Sequence, residues 1–369
     1  MTDHATETAT RRYADRMSER AAPGHFHELV PGVQASTIGI GTYLGDEDAA
    51  TDAQYRRAIR RAVERGINVI DTAVNYRQQR SERVIAAALA DLAVRKLASR
   101  DELIIATKGG FIPLDAADPR DPKTYFTETY LASGIVQPDE VVGGVHCMAP
   151  RYLEDQIDRS RLNLGIDTID VYYVHNPETQ LEGVDRDVFL RRIREAFAAL
   201  EKAVADGKIV RYGTATWNGY RQDPGTRGYL SLAELVGVAR DVAGEGHHFK
   251  VVQLPYNLAM TEAFTRANQV VEGDMITMLQ AARRLGIYIM ASASVYQGQL
   301  TRNLSPVVAE YLPGLETDGQ RALQFVRSTP GIGTALVGMK SLAHVDENTA
   351  VARVAPLAWF EFQRLFSQA

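Results

Sequence analysis

The sequence holds one cysteine and two tryptophans, and it has no long apolar run and no dominant charge. Each scarcity removes a class of protein. Cys147 stands alone, so an internal disulfide is excluded and the chain reads as one for a reducing, cytoplasmic setting. No apolar stretch approaches the roughly 18 residues that a membrane-spanning helix needs. The 41 Lys+Arg stand against 46 Asp+Glu, a formal net charge of −5, which offers no basic footprint for nucleic acid or an anionic membrane. The opening MTDHATETATRRYADRMSER lacks the apolar core of a secretory signal. Metal-site spacing is missing too: His25/His27, His247/His248 and His146-Cys147 fit no zinc pattern, and no H-E-x-x-H, C-x-x-C or G-x-S-x-G occurs.

What is there is a repeated grammar of amphipathic run, glycine stop and short apolar run. DAQYRRAIRRAVERG precedes INVID, with Tyr55, Ile59, Ala62 and Val63 at helical spacing, Asp52 placed to cap and Gly66 to stop. YLEDQIDRSRLNLG precedes IDTIDVYYVH, FLRRIREAFAALEKAVADG precedes KIVRYGTAT, and MITMLQAARRLG precedes IYIMAS, its stripe using Met275, Leu279, Ala282 and Leu285. The apolar runs are nearly continuous rather than alternating, as in parallel strands covered on both faces. STIGIGT (36–42), ELIIATK (102–108), KVVQLPYN (250–257) and TALVG (334–338) raise the count to eight. Eight strands alternating with helices predict a single α/β domain, a (β/α)8 TIM barrel with long insertions on its C-terminal rim. An open doubly wound sheet is the alternative that periodicity allows. Residues 1–30 read as an N-terminal extension. Residues 111–150, with four prolines before Pro150, read as a rim insertion of a length usually reserved for function.

The glycine-rich Gly39-Ile-Gly41-Thr-Tyr-Leu-Gly45 is one residue too long for a dinucleotide fingerprint and opens no helix. It reads instead as a strand end beside a ligand. More telling are polar residues at the ends of apolar strands: Asp71 closes INVID with Tyr76 five residues on, Lys108 closes ELIIATK, and His175 closes IDVYYVH. A charge at a buried strand end is costly unless paired or solvated. In a barrel these ends share one rim, where Asp71 and Lys108 can neutralise each other.

With these residues in place, the sequence resembles the aldo-keto reductase superfamily. The resemblance runs over roughly residues 33–350, through GIGTYLG, INVIDTAVNY, LIIATKGG, IDVYYVHNPE, VRYGTATW, VQLPYN and GMKSLAHVDEN. It implies a catalytic tetrad of Asp71, Tyr76, Lys108 and His175. It also implies the cofactor NADP(H), with NAD as the alternative. Gly41, Thr42 and Tyr43 then fall beside the nicotinamide ribose, and Gln253 beside the carboxamide. Ser292 to Leu300, including Gly298, falls around the pyrophosphate. Lys340, Ser341, His344, Glu347 and Asn348 fall around the adenosine half. The chain departs from the family at Ala215-Thr216, where Thr216 stands in for a carboxamide ligand. It departs again at Ser292, in the place of a stacking tyrosine, and at His344, in the place of an arginine.

The implied reaction reduces an aldehyde or ketone to an alcohol, or reverses that step. The cofactor supplies hydride and Tyr76 the proton, its phenol acidified by the Lys108 ammonium. Tyr43 and Trp217 are placed against the substrate, with Tyr125, Phe126, Tyr130, Trp217 and Tyr220 available for an apolar wall. The expected partner is a small carbonyl compound or alcohol, not a nucleic acid or membrane, and no pattern speaks to oligomeric state. Two rival functions fit a barrel of this kind. One is a regulatory or sensing subunit like the potassium-channel β subunits, and the other an isomerase or aldolase using Lys108 as a Schiff base.

Overall fold

The computed structural model describes residues 3–366. Eight parallel strands close into a barrel: β1 (Ile38–Gly41), β2 (Val69–Asp71), β3 (Ile104–Gly109), β4 (Ile169–His175), β5 (Ile209–Ala215), β6 (Phe249–Pro255), β7 (Tyr288–Ser292) and β8 (Thr334–Gly338). Neighbours follow chain order, and β8 pairs β1 with Gly338 beside Gly41. The expected (β/α)8 barrel is therefore the fold, and the open sheet is not.

Along each strand every second residue points inward. Val69, Ala106, Val171, Tyr173, Ala215, Val251, Met290 and Leu336 form one buried interior cluster. Residues of the opposite parity, such as Ile70, Ile105, Tyr172 and Leu254, pack in the outer cluster with the surrounding helices. Gly213 shows how tight the wall is, because a Cβ built there would sit 1.6 Å from the Val251 carbonyl oxygen. The same two-residue period carries Asp71 inward two places after Val69, Lys108 after Ala106, His175 after Tyr173 and Gln253 after Val251.

The N-terminal segment is built into this body. Helix Glu7–Met17 places the Tyr13 hydroxyl on the carbonyls of Val63 and Ile67, at 2.6 and 3.1 Å. An antiparallel hairpin, 26–30 with 33–36, contributes Leu29, Val33 and Ala35 to the interior cluster.

Helix starts differ in detail from the sequence reading. Helix Ala49–Glu64 is capped by Asp48, which accepts from the Thr51 N–H at 2.7 Å, a contact worth about 1 kcal/mol. Asp52 thus lies inside the first turn, free to take arginine partners. Met275 belongs to a second hairpin, 267–271 with 274–277, and is exposed; the helix begins only at Met278. Thr277 caps it, so the apolar stripe runs one turn too far back when read from sequence. Helices Arg80–Val94, Leu232–Ala243 and Asp318–Ser328 complete the outer ring in stretches where no amphipathic repeat was assigned.

Candidate active site

The inward strand ends meet at the C-terminal rim. Lys108 is fully buried, and its Nζ donates to both Asp71 carboxylate oxygens at 2.9 and 2.7 Å and to the Thr72 carbonyl at 2.7 Å. Three bonds occupy all three ammonium protons. Burial pulls the Lys108 pKa below the usual lysine value, with Asp71 opposing. Gln253 Nε2 donates to Asp71 Oδ1 at 2.8 Å, so one carboxylate organises two strands besides its own.

Tyr76 sits on the turn after β2, half-buried. Its ring lies over Lys108 Nζ, 5.0 Å from the centroid. The Tyr43 ring meets it edge-on at 4.9 Å and the His175 ring at 6.0 Å. The Lys108 ammonium, expected to acidify this phenol, spends its protons on Asp71 and Thr72. Burial first, then the charge of Asp71 and the Tyr43 ring, push Tyr76 well above the usual phenol value. The physical reason is that Asp71 already neutralises the ammonium and no Lys108 proton is left to stabilise a phenolate.

Burial, followed by Lys108 and His146, holds His175 well below the ordinary histidine pKa, so the ring is neutral. Its Nδ1 is enclosed without a partner. An enclosed lone pair costs less than an enclosed N–H, so we assign the proton to Nε2. Phe111 packs edge-on against His175 at 5.1 Å and against His146 at 5.3 Å.

A cavity of about 890 Å³ opens over these groups and runs across the rim. Gly41, Thr42, Tyr43, Asp71, Tyr76, His175, Thr216, Trp217 and Gln253 line one part, with Ser292, Gly298, Lys340, His344, Glu347 and Asn348 along the rest. Lys108 lies behind the wall, reaching the cavity only through its partners. Two residues implied by the resemblance lie off the wall. Ser341 caps helix Leu342–Ala350, accepting from the His344 N–H at 3.2 Å. The Leu300 N–H donates to the Val295 carbonyl at 3.3 Å, closing a kinked turn.

The aromatic wall is also different. Tyr125, Tyr130 and Tyr220 are buried; the first two pack on each other inside the insertion, and Tyr220 shares a hydrogen bond with Thr214 at 2.8 Å. Phe126 packs at a tilt against Tyr130 away from the cavity, leaving Trp217 as the aromatic of that set on the wall. Phe111, Asn75 and Asn176 line the cavity and were missed. Asn176 carried a signal, since it directly follows His175 and takes a left-handed φ of 46° that asparagine tolerates. Phe111 opens an aperiodic insertion and carried none.

The cavity has room where a long, flat ligand would press on backbone. A Cβ built on Gly41 meets nothing nearer than 3.8 Å, and on Gly338 nothing within 4 Å, so both strands present bare main chain. Ala293, Tyr296, Gln297 and Gly298 all have positive φ, curling the segment after β7 around the cavity. The Thr216 hydroxyl is enclosed without a partner on the same wall.

Comparison with known proteins agrees with this geometry. The aldo/keto reductase family model matches residues 37–306, and the chain belongs to that family. The 6-dehydroglucose reductase of Novosphingobium aromaticivorans is 26% identical over 204 residues, covering 54% of this chain and 54% of the relative. The chain thus spans about half the length of that relative. The NADH-specific methylglyoxal reductase of Escherichia coli is 23% identical over 287 residues, 76% of this chain and 69% of its own. An aldo/keto reductase from Klebsiella pneumoniae, solved with NADP and acetate, shares the fold with a TM-score of 0.60 and 22% identity, over 90% of this chain and 91% of its own.

Proposed function

We propose that this protein is an NAD(P)H-dependent oxidoreductase that interconverts a small aldehyde or ketone with its alcohol, Tyr76 being the general acid and base. The observation that carries the reading is the convergence of Tyr76 and the neutral His175 on one cavity, with the Asp71–Lys108 pair closed behind them. The bare backbone at Gly41 and Gly338, the curled segment 293–298 and the partnerless Thr216 hydroxyl suit a dinucleotide. Thr216 and Gln253 would hold its carboxamide, and Lys340 with His344 its far phosphate. NADP(H) is favoured by Lys340, and by the NADP found in the Klebsiella pneumoniae relative. The bound nicotinamide supplies the hydride, which no side chain can.

The residues do the rest. His175 presents its Nε2 proton to the carbonyl oxygen, which orients the substrate and stabilises charge growing there. Tyr76 stands protonated at neutral pH, as an ordinary phenol does, and burial pushes its pKa further up. An alkoxide forming at the carbonyl oxygen is a stronger base than a phenolate, so transfer of the Tyr76 proton runs downhill only as reduction proceeds. Asp71 and Lys108 act as a rigid, internally neutral floor under the phenol.

The test is Tyr76→Phe, with cofactor binding by fluorescence quenching beside turnover of a carbonyl panel. Retained binding with turnover lower by about a thousandfold or more is expected from losing a positioned proton donor. Unchanged turnover overturns the assignment, and wild-type binding without any turnover overturns the enzyme reading itself.

A further inference from the structure

The backbone directly behind Tyr76 is strained. Arg77, Gln78 and Gln79 take φ values of 50°, 51° and 72°, three consecutive residues in the left-handed region with no glycine among them. Side chains crowd the backbone there, whereas glycine adopts it freely. Such a run persists only where surrounding contacts over-determine it.

Arg77 shows what those contacts are. It is buried and turns back under the loop that follows β1. Its Nε donates to the Asp46 carbonyl at 2.8 Å, and Nη2 donates to the Asp48 carbonyl at 3.2 Å and to Asp52 Oδ1 at 2.7 Å. The guanidinium lies 5.6 Å from the centroid of Tyr55, which itself donates to the Leu44 carbonyl at 2.5 Å. That loop begins with Tyr43, the ring standing edge-on against Tyr76. Gln78, in the same strained conformation, touches that loop through an exposed side-chain bond to Glu47, and its carbonyl accepts from the Ala116 N–H at 3.1 Å.

We infer that Arg77 is a positioning residue for Tyr76. Its side chain ties loop 43–48 to the turn that carries the phenol, so the Tyr43 edge and the Tyr76 ring keep one geometry. An arginine kept where glycine would be free of strain is explained by this tie. The consequence for turnover rests on the reductase reading above; the tie itself rests on geometry alone.

The test compares Arg77→Gly with Gln78→Gly, which relieves the same backbone strain and gives up only an exposed hydrogen bond to Glu47, leaving the buried tie intact. Amide hydrogen exchange is read over residues 42–52 and 72–76, where Thr72, Val74 and Tyr76 donate to the carbonyls of Ala106, Lys108 and Ala73. Exchange at least tenfold faster in Arg77→Gly, and unchanged in Gln78→Gly, is expected. In turnover, Arg77→Gly is expected to lower kcat at least tenfold with cofactor KM within threefold. The solvent deuterium isotope effect on kcat should rise as proton transfer from a misplaced phenol becomes limiting; a general loss of folded protein would not produce that rise. Should Arg77→Gly fail to fold, Arg77→Lys, which cannot span all three acceptors, shows the same pattern more weakly. Unchanged exchange, faster exchange with unchanged kcat, or equal effects in the two glycine variants would each overturn the inference. A wild type that reduces no carbonyl refutes the reductase reading, and the exchange comparison then decides the tie by itself.

Discussion

Replacing Asp71 by asparagine strips the charge from the carboxylate bonded to Lys108 while leaving its shape in place. In the native protein the ammonium is fully enclosed, and two of its three hydrogen bonds end on Asp71. An enclosed ammonium without a counter-charge neutralises instead of staying charged. As an amine it can still donate to the substituted side-chain amide and to the Thr72 carbonyl. The cost is then bounded by deprotonating a lysine whose unfolded pKa is near 10.4, about 4.6 kcal/mol at pH 7 and about 1.9 kcal/mol at pH 9. For a chain of 369 residues the unfolding entropy is about 0.8 kcal/mol per degree, so these costs lower Tm by about 6 °C and about 2.5 °C. The sign follows from proton counting. The variant's folded state binds one proton fewer than its unfolded state below pH 10.4, so its stability rises with pH. Thermal unfolding of Asp71→Asn and wild type in parallel at pH 7, 8 and 9 measures the difference. A deficit that stays constant across that range, or stays under 1 °C at pH 7, would refute the claim that Asp71 compensates a buried charge.

Two more outcomes follow from the same geometry. His25 is held down to about 3 by burial and then Arg327, His146 is held down to about 4 by burial, and His175 lies well below its usual value. Each folded pKa lies below the unfolded one, so this stability is present above pH 6.5 and lost as pH falls, at about 2 kcal/mol per histidine between pH 7.5 and pH 5. Urea unfolding of His146→Gln should accordingly lose about 2 kcal/mol less than wild type over that interval, and an equal loss in both would contradict the assignment of a buried neutral ring. For the cofactor, Lys340→Ala should narrow the NADPH-over-NADH preference in fluorescence quenching by roughly tenfold, the worth of one charge-assisted contact. An unaltered ratio removes Lys340 from any phosphate site.

The rim insertion explains why substrate chemistry is harder to read than reaction chemistry. Residues 111–150 fold on themselves through bridges joining His146 to Phe111 and Val142, and the Cys147 N–H returns to the Gly110 carbonyl at 2.9 Å. His146 Nε2 donates to the His175 carbonyl at 2.7 Å, while Gln180 Nε2 donates to its Nδ1 at 2.8 Å. The insertion therefore ends on His175 and delivers Phe111 to the cavity, although its tyrosines remain inside it. Its aromatic content predicted a wall that its own core absorbs.

Much of the protein was legible in its residues, because strand and helix periods are local properties. Eight apolar runs separated by amphipathic stretches give the barrel. A period of two then dictates that Asp71, Lys108, His175 and Gln253 point the same way as Val69, Ala106, Tyr173 and Val251. The motifs that led to the tetrad lie on those strands for that reason. Local signals faded where the backbone left the regular periods. Nothing in Arg77-Gln78-Gln79 announces a left-handed turn, since its stabilising partners Asp46, Asp48 and Asp52 lie some thirty residues away in sequence. Met275 kept its helical spacing but joined a hairpin through pairing with residues 267–271. The protonation of the site was likewise a tertiary outcome. Residue identity names an ammonium and a phenol, yet whether one acidifies the other depends on which atoms take the ammonium's three protons and how much water remains. Closure of the barrel turned Lys108 onto Asp71 and took it out of water.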